Sequence, residues 1–231
     1  MNDRISNRWP AANLLLVVVL LGSTGCFGLN RGAPSQQHYV LGGGAPTAMA
    51  TLVETTPSGD STRLNIGLRR PQIASYLDAP FMVVRSGSHQ IGFSELHRWA
   101  EDLGGGINRA VAGYLSQRGS FGAVDVAPWS PRENYAYLIQ LNVLRFEGLI
   151  PEGVAPLQGQ VQMGSVQQGE VQVMASWEII RHEDGVVLAR GVTDYREGGW
   201  RVGDYAGLVT LLDAGLGVLA DDLVASIEAL R

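Results

Sequence analysis

The sequence predicts an α+β fold, a mostly antiparallel sheet with two main helices packed on one face, preceded by a signal peptide and a flexible tether. Three observations predict it. Residues 64–68, 135–143 and 171–179 alternate apolar and polar side chains with period two, as half-buried strands do. Residues 96–115 and 208–230 instead space their apolar residues three and four apart, the pattern of one helix face. Strands and one helix are then followed by a meander and a second helix, an order that suits helices gathered on one side of a sheet. With 231 residues, 45% of them hydrophobic, the chain can bury one good core. Residues 38–231 are therefore read as a single domain.

The N-terminus reads differently. Arg4 and Arg8 precede an unbroken apolar run over 14–21, LLLVVVLL, and Gly22-Ser23-Thr24-Gly25 then leads into Cys26, the single cysteine. That run is shorter than the roughly 20 apolar residues a bilayer-spanning helix needs, but it suits a secretion signal. A cysteine directly after small residues resembles a bacterial lipobox, whose thiol is acylated and becomes the mature N-terminus. Ser23, three before the cysteine, stands where that pattern has a leucine-like residue. The alternative is an ordinary secreted protein with an incidental cysteine. Residues 1–25 are read as the lipoprotein signal peptide, Cys26 as the lipid attachment site, and 26–37, rich in Gly, Pro, Ser and Gln, as a lipidated tether. Cleavage before Cys26 removes Arg4, Arg8 and Asp3, a net +1, and takes the formal charge from −5 to −6. Such a charge disfavours general affinity for nucleic acid or anionic membrane surfaces.

The domain elements follow in order. Tyr39-Val40-Leu41 is a first strand ended by Gly42-Gly43-Gly44, with no Lys-Ser or Lys-Thr after it to make a phosphate loop. Residues 45–60 are turn-rich. Leu64, Ile66 and Leu68 share one strand face, and Pro71 breaks that strand. Residues 81–84 and 89–93 pair as a hairpin across Arg85-Ser86-Gly87-Ser88. Ser94 is expected to cap a helix carrying Leu96, Trp99, Leu103, Ile107, Val111 and Tyr114 or Leu115, with Gly119 as its stop. Gly104-Gly105-Gly106 falls within it, and continuity with close packing is expected there. Residues 121–126 form a strand. Residues 135–147 form a long one whose apolar parity slips after Val143, which predicts a bulge. Residues 148–169, nearly uncharged, make a long loop or projecting hairpin. The strand over 171–179 turns at Glu183-Asp184-Gly185 and returns over 186–195. Asp204 caps the last helix, striped by Leu208, Leu212, Leu216, Leu219, Leu223, Ile227 and Leu230.

Residues suited to chemistry are few. His38, His89, His97 and His182 show no metal-ligand spacing among themselves or with Cys26, and no serine sits in a nucleophile elbow. Gly215-x-Gly217-x-x-Ala220 lies inside a helix and follows no strand, so it is not a dinucleotide loop. Glu101-Asp102 and Asp221-Asp222 read as solvated helix faces. His97 reads as an exposed or capping residue. Trp99 and Trp177 lie on apolar parities and are expected in the core. No catalytic residue, metal ligand or cofactor is assigned.

Several features together carry a family resemblance. They are the lipobox, Tyr39-Val40-Leu41, Ile66-Gly67-Leu68, Tyr76-Leu77-Asp78, Arg85, the Glu95-Leu96-His97-Arg98-Trp99-Ala100 run, and a strand over 171–177 ending on Trp177. From about Tyr39 to the C-terminus the chain resembles the ABC-type transport auxiliary lipoproteins, the family of the paraquat-inducible protein C-like intermembrane transport lipoprotein. The resemblance implies an outer-membrane lipoprotein, anchored in outer-membrane lipids and facing the periplasm. It further implies partners, an Mce-domain protein and an ABC-transporter or integral-membrane permease, and a non-enzymatic docking or structural role in lipid transport between membranes. A homo-oligomeric ring is a further expectation. An envelope hydrolase with an unrecognised site and a stand-alone lipid carrier are the alternative readings.

Overall fold

The computed structural model describes residues 35–43, 63–129, 134–152 and 167–231. Cys26, the signal peptide, most of the tether, the turn-rich 45–60 stretch and the middle of the 148–169 segment lie outside the described residues. Residues Gln36–Arg231 form one unit.

The organising element is a fourteen-residue strand, β7 (Tyr137–Ile150). Along one edge it pairs antiparallel with β8 (Gln168–Arg181) over its whole length, from Tyr137↔Arg181 to Leu149↔Glu170. β8 pairs in turn with β9 (Val187–Arg201). Along its other edge β7 meets three short strands end to end, all parallel to it and all from one run of chain. These are β2 (Asn65–Leu68), β3 (Gln72–Ile73) and β4 (Phe81–Ser86). Pro71 interrupts that run, and so does a 3-10 turn at Ser75–Leu77. β4 pairs antiparallel with β5 (Gln90–Trp99), and β5 pairs parallel with β1 (Gln37–Tyr39). β6 (Ala123–Val126) lies parallel on β2.

The expectation of a mostly antiparallel sheet is therefore corrected. Of the described strand pairings, β1–β5, β2–β6, β2–β7, β3–β7 and β4–β7 are parallel, and only the three pairs consecutive in the chain, β4–β5, β7–β8 and β8–β9, are antiparallel. The physical reason is connection. Short turns join β4 to β5 and β8 to β9, whereas β2 reaches β7 by a long crossover that includes a helix, and a crossover brings strands in parallel.

That helix, α1, spans Leu103–Arg118 and does not begin at Ser94. Ser94 does accept a hydrogen bond from the His97 amide at 3.1 Å, three residues on, as a helix cap would. Here the bond closes a bulge inside β5, where the register with β4 jumps from Phe81↔Arg98 to Val83↔Phe93. The following amides are taken by the sheet, Trp99 N–H by the Pro80 carbonyl and Ala100 N–H by the Tyr39 carbonyl, both at 2.8 Å. The true cap is Asp102, whose carboxylate accepts from the Gly105 amide at 2.8 Å. α1 runs unbroken through Gly104–Gly106, which fall in its first turn. A Cβ at Gly104 would meet Pro71 at an ordinary 3.5 Å, so close packing is not what requires glycine there. Gly119 ends the helix, as expected.

The last helix, α2 (Tyr205–Glu228), is capped by Asp204 through the Gly207 amide at 3.0 Å. Leu208, Leu212, Leu216, Leu219, Leu223 and Ile227 are buried. The two helices and the inward residues of the sheet, among them Ile66, Leu68, Ile139, Leu141, Val173 and Ile179, form one core. A small second cluster, Tyr135, Leu138 and Ile180 under Trp129, contains no helix residue and covers one end of the opposite face. Trp99 and Trp177 are 5% and 7% exposed, in the core as expected. The parity slip is a real bulge, a register shift between Val143 and Arg145 that leaves Leu144 partly exposed. Gly215 lets α2 approach the sheet, since a Cβ there would lie 2.6 Å from Val173 and 2.7 Å from Tyr195.

Candidate functional site

Three polar constellations stand out among the described residues. The first lies on the sheet face away from the helices. Alternation puts Gln140, Glu178 and Arg190 in one cross-strand row and Asn142, Ser176 and Val192 in the next. With Gln72 they line an open concavity of about 650 Å³. Arg190 and Glu178 form an ion pair at 2.9 Å, and Gln140 donates to the Leu141 carbonyl at 3.0 Å. Trp177, Gly191 and Val192 line it as well, so amide, hydroxyl and paired charge sit among apolar surface.

The second is a buried charge cluster. The bulge after Val143 turns Glu147 to the sheet face away from the helices, in register with Gln172, yet it is fully buried there beneath Arg85 and Arg145. Arg85 Nε donates to its Oε1 at 2.5 Å and Arg85 Nη2 to its Oε2 at 3.3 Å, while Arg145 Nη1 donates to Oε1 at 3.2 Å. The Arg85 guanidinium also lies 5.7 Å from the centre of the Tyr76 ring. Burial first, then the adjacent Glu147 carboxylate, pushes the Tyr76 hydroxyl up to about 12. Both carboxylate oxygens are engaged by arginine, so this is a tie between β4 and β7.

The third joins the beginning of the domain to its end. Asp213, 9% exposed on α2, accepts from the Gly42 amide and from the Tyr114 hydroxyl, each at 2.8 Å. Gly42 adopts φ +79°, the left-handed region that favours glycine. Desolvation, with the Asp213 acceptor next, pushes Tyr114 up to about 12. Nearby, His97 is neither exposed nor a cap. Its ring stacks on Tyr205, centroids 4.0 Å apart, and Nδ1 lies 3.1 Å from the Tyr39 hydroxyl. Burial lowers its pKa.

The adjacent carboxylates are also more engaged than a solvated face would be. Asp102 caps α1, Glu101 pairs with Arg109, Asp221 pairs with Arg118 at 2.7 Å, and Asp222 accepts from Thr193 at 2.5 Å. Glu147 and Asp213 are the residues that reading the sequence missed. The signal for Glu147 was present, a carboxylate just past a parity slip in an apolar strand. Asp213 follows Leu211 and Leu212 and gives no local sign of its partners. Among the described residues no group of three His, Cys, Asp or Glu could hold a metal ion. No described helix is long and apolar enough to cross a membrane.

Comparison with known proteins follows from this geometry. No curated relative matches the sequence. Two crystal structures share the fold. A Xanthomonas campestris protein of the DUF330 family superposes with a TM-score of 0.54 at 17% identity, covering 70% of this chain and 81% of its own. An uncharacterized protein superposes with the same TM-score of 0.54 at 14% identity, covering 71% and 92%. The family of ABC-type transport auxiliary lipoprotein components matches residues 48–224, which span every described strand but β1, together with α1 and most of α2. The chain belongs to the ABC-type transport auxiliary lipoprotein family.

Proposed function

We propose that this protein is a lipid-anchored, non-enzymatic auxiliary subunit of an Mce-type system that moves lipids between membranes. The observation that carries the reading is the family match over residues 48–224. The N-terminal pattern supports it: Cys26 follows an apolar run and a string of small residues, and Phe27 rather than an aspartate comes next, which by resemblance favours the outer membrane. The domain would face the periplasm and dock an Mce-domain protein, which with a permease carries out the transport. The outer face of β7, β8 and β9, with its paired charges and amides, offers contacts of the kind found at the polar parts of protein interfaces.

The test is purification of the tagged, full-length protein from detergent extract. Co-purification of an Mce-domain protein is expected. Its absence under conditions that keep the transport complex together would refute the docking role. Attachment is read separately: Cys26→Ala should give an unprocessed or soluble protein, and a mature-sized, membrane-bound variant would refute Cys26 as the lipid site. Density-gradient separation of the two membranes decides the address.

A further inference from the structure

β1 is the first described strand, and it begins about ten residues after the lipid attachment site proposed above. A stretch of that length reaches at most about 35 Å. Whatever surface β1 belongs to is therefore held close to the bilayer. β1 pairs with β5, and β5 with β4, so that His38, Arg98 and Phe81 stand in one cross-strand row. Trp99 points into the core, so Arg98 and Phe81 point away from it.

Apolar side chains stand beside this row on the same face. Phe93 is 47% exposed, and its ring lies edge-on to Phe81 with centroids 6.3 Å apart. The Arg98 guanidinium sits 4.8 Å from the Phe81 ring centre. Val40, the residue after β1, is 56% exposed. An exposed ring, Phe93, with the half-buried Phe81 ring and an arginine beside it, suits the boundary between acyl chains and headgroups, where rings enter the apolar layer and the guanidinium stays among phosphates. The net negative charge of the chain gives such a surface no long-range attraction to a membrane. The tether makes attraction unnecessary, because it turns contact into an intramolecular event at high effective concentration.

We infer that the Phe81–Phe93–Arg98 surface, with Val40 at its margin, rests on the phospholipid surface in which the protein is anchored, and so fixes which side of the domain faces away from the membrane. The inference rests on the Cys26 reading. The experiment separates the two. Acylation consumes the only thiol of the chain, so a cysteine introduced elsewhere is labelled uniquely. Nitroxide labels at Phe93→Cys, Val40→Cys and, as a control on β9, Val192→Cys are placed in the full-length, processed protein, reconstituted in phosphatidylethanolamine–phosphatidylglycerol vesicles. All three positions are solvent-exposed, and thermal melts confirm that each variant is folded.

The expected result is an oxygen-rich, nickel-complex-poor environment for the labels at 93 and 40, and the reverse at 192. Equal aqueous accessibility at all three positions in acylated, vesicle-bound protein would overturn the inference and leave the anchor standing. A label at 93 shielded equally in the soluble Cys26→Ala protein, with neither lipid nor detergent present, would mean that a protein surface covers Phe93 and would also overturn it. Mass spectrometry of the N-terminus reports the anchor itself, and an unacylated N-terminus would remove both.

Discussion

At the scale of single residues, the strongest expectations concern groups that are buried with partners. Trp99 and Trp177 fill the core from opposite sides of the sheet centre, and truncating either to alanine is expected to cost about 3–5 kcal/mol of unfolding free energy, read by urea titration. Gly191 is bound to Trp177 in the same way, because a Cβ there would lie 2.1 Å from the indole ring. Gly191→Ala should therefore destabilise by about 1–3 kcal/mol through overpacking. Unchanged midpoints would place these tryptophans outside the packed core. Tyr76 and Tyr114 give a pH dependence whose sign is fixed by burial. Both hydroxyls are held up to about 12, so the folded protein keeps a proton that the unfolded chain releases at about 10. Their contribution is whole below about pH 10 and is lost as pH rises through about 12. Tyr114→Phe should make that alkaline loss shallower. Identical alkaline curves for variant and parent would exclude Tyr114 as one of the titrating groups.

At the scale of elements, the helix boundaries can be checked by capping. Asp102→Ala removes the acceptor for the Gly105 amide and should cost about 1 kcal/mol. Gly104→Ala, in the same first turn and with room for its methyl group, should instead stabilise by a few tenths to about 1 kcal/mol. A loss of stability in Gly104→Ala would mean that the turn needs glycine after all. These boundaries also show what local sequence can and cannot reveal. Strand alternation, the hairpin turns, the bulge after Val143, the stripe of α2 and the caps at Asp204 and Gly119 were legible, because each is decided by neighbours within a few residues. The start of α1 was not. Leu96, Trp99 and Leu103 have helical spacing and Ser94 has capping chemistry, yet the amides of Trp99 and Ala100 bond to Pro80 and Tyr39, and no local pattern announces those partners. The parallel sheet was hidden for the same reason, since Ile66 and Tyr137 meet only through the fold. The bonds of Asp213 to Gly42 and Tyr114 belong to that class too.

At the scale of the whole molecule, the two ends of the 148–169 segment bear on assembly. β7 and β8 are partners on either side of the 148–169 segment, so its two ends emerge side by side at the end of the long hairpin. Edge addition of such a segment to a neighbouring copy would build a ring, the arrangement we expect for docking symmetrically on an Mce partner. Replacing residues 153–166 by a short Gly-Ser link should lower the solution mass of the mature protein in mild detergent. An unchanged mass would dismiss the segment's role, and a strict monomer for the intact protein at micromolar concentration would dismiss the ring.

The laying of β2, β3 and β4 along one edge of β7 also bears on the order of events while the chain is being made. Their shared partner β7 arrives about seventy residues later, so Ile66, Leu68, Met82 and Val84, all buried at the end, lack one of their two neighbouring strands while the first half is newly synthesised, although β5 and β6 can already pair with β4 and β2. The β8–β9 pair needs only a tight turn and can close as soon as it appears. The β4–β5 hairpin can close in the same way, and earlier, so completion of the domain would wait for the C-terminal meander, whose free edge then takes up the N-terminal run. A polypeptide cut short before Tyr137 would be left with unshielded β-prone segments, prey for proteases and for aggregation rather than half of a domain.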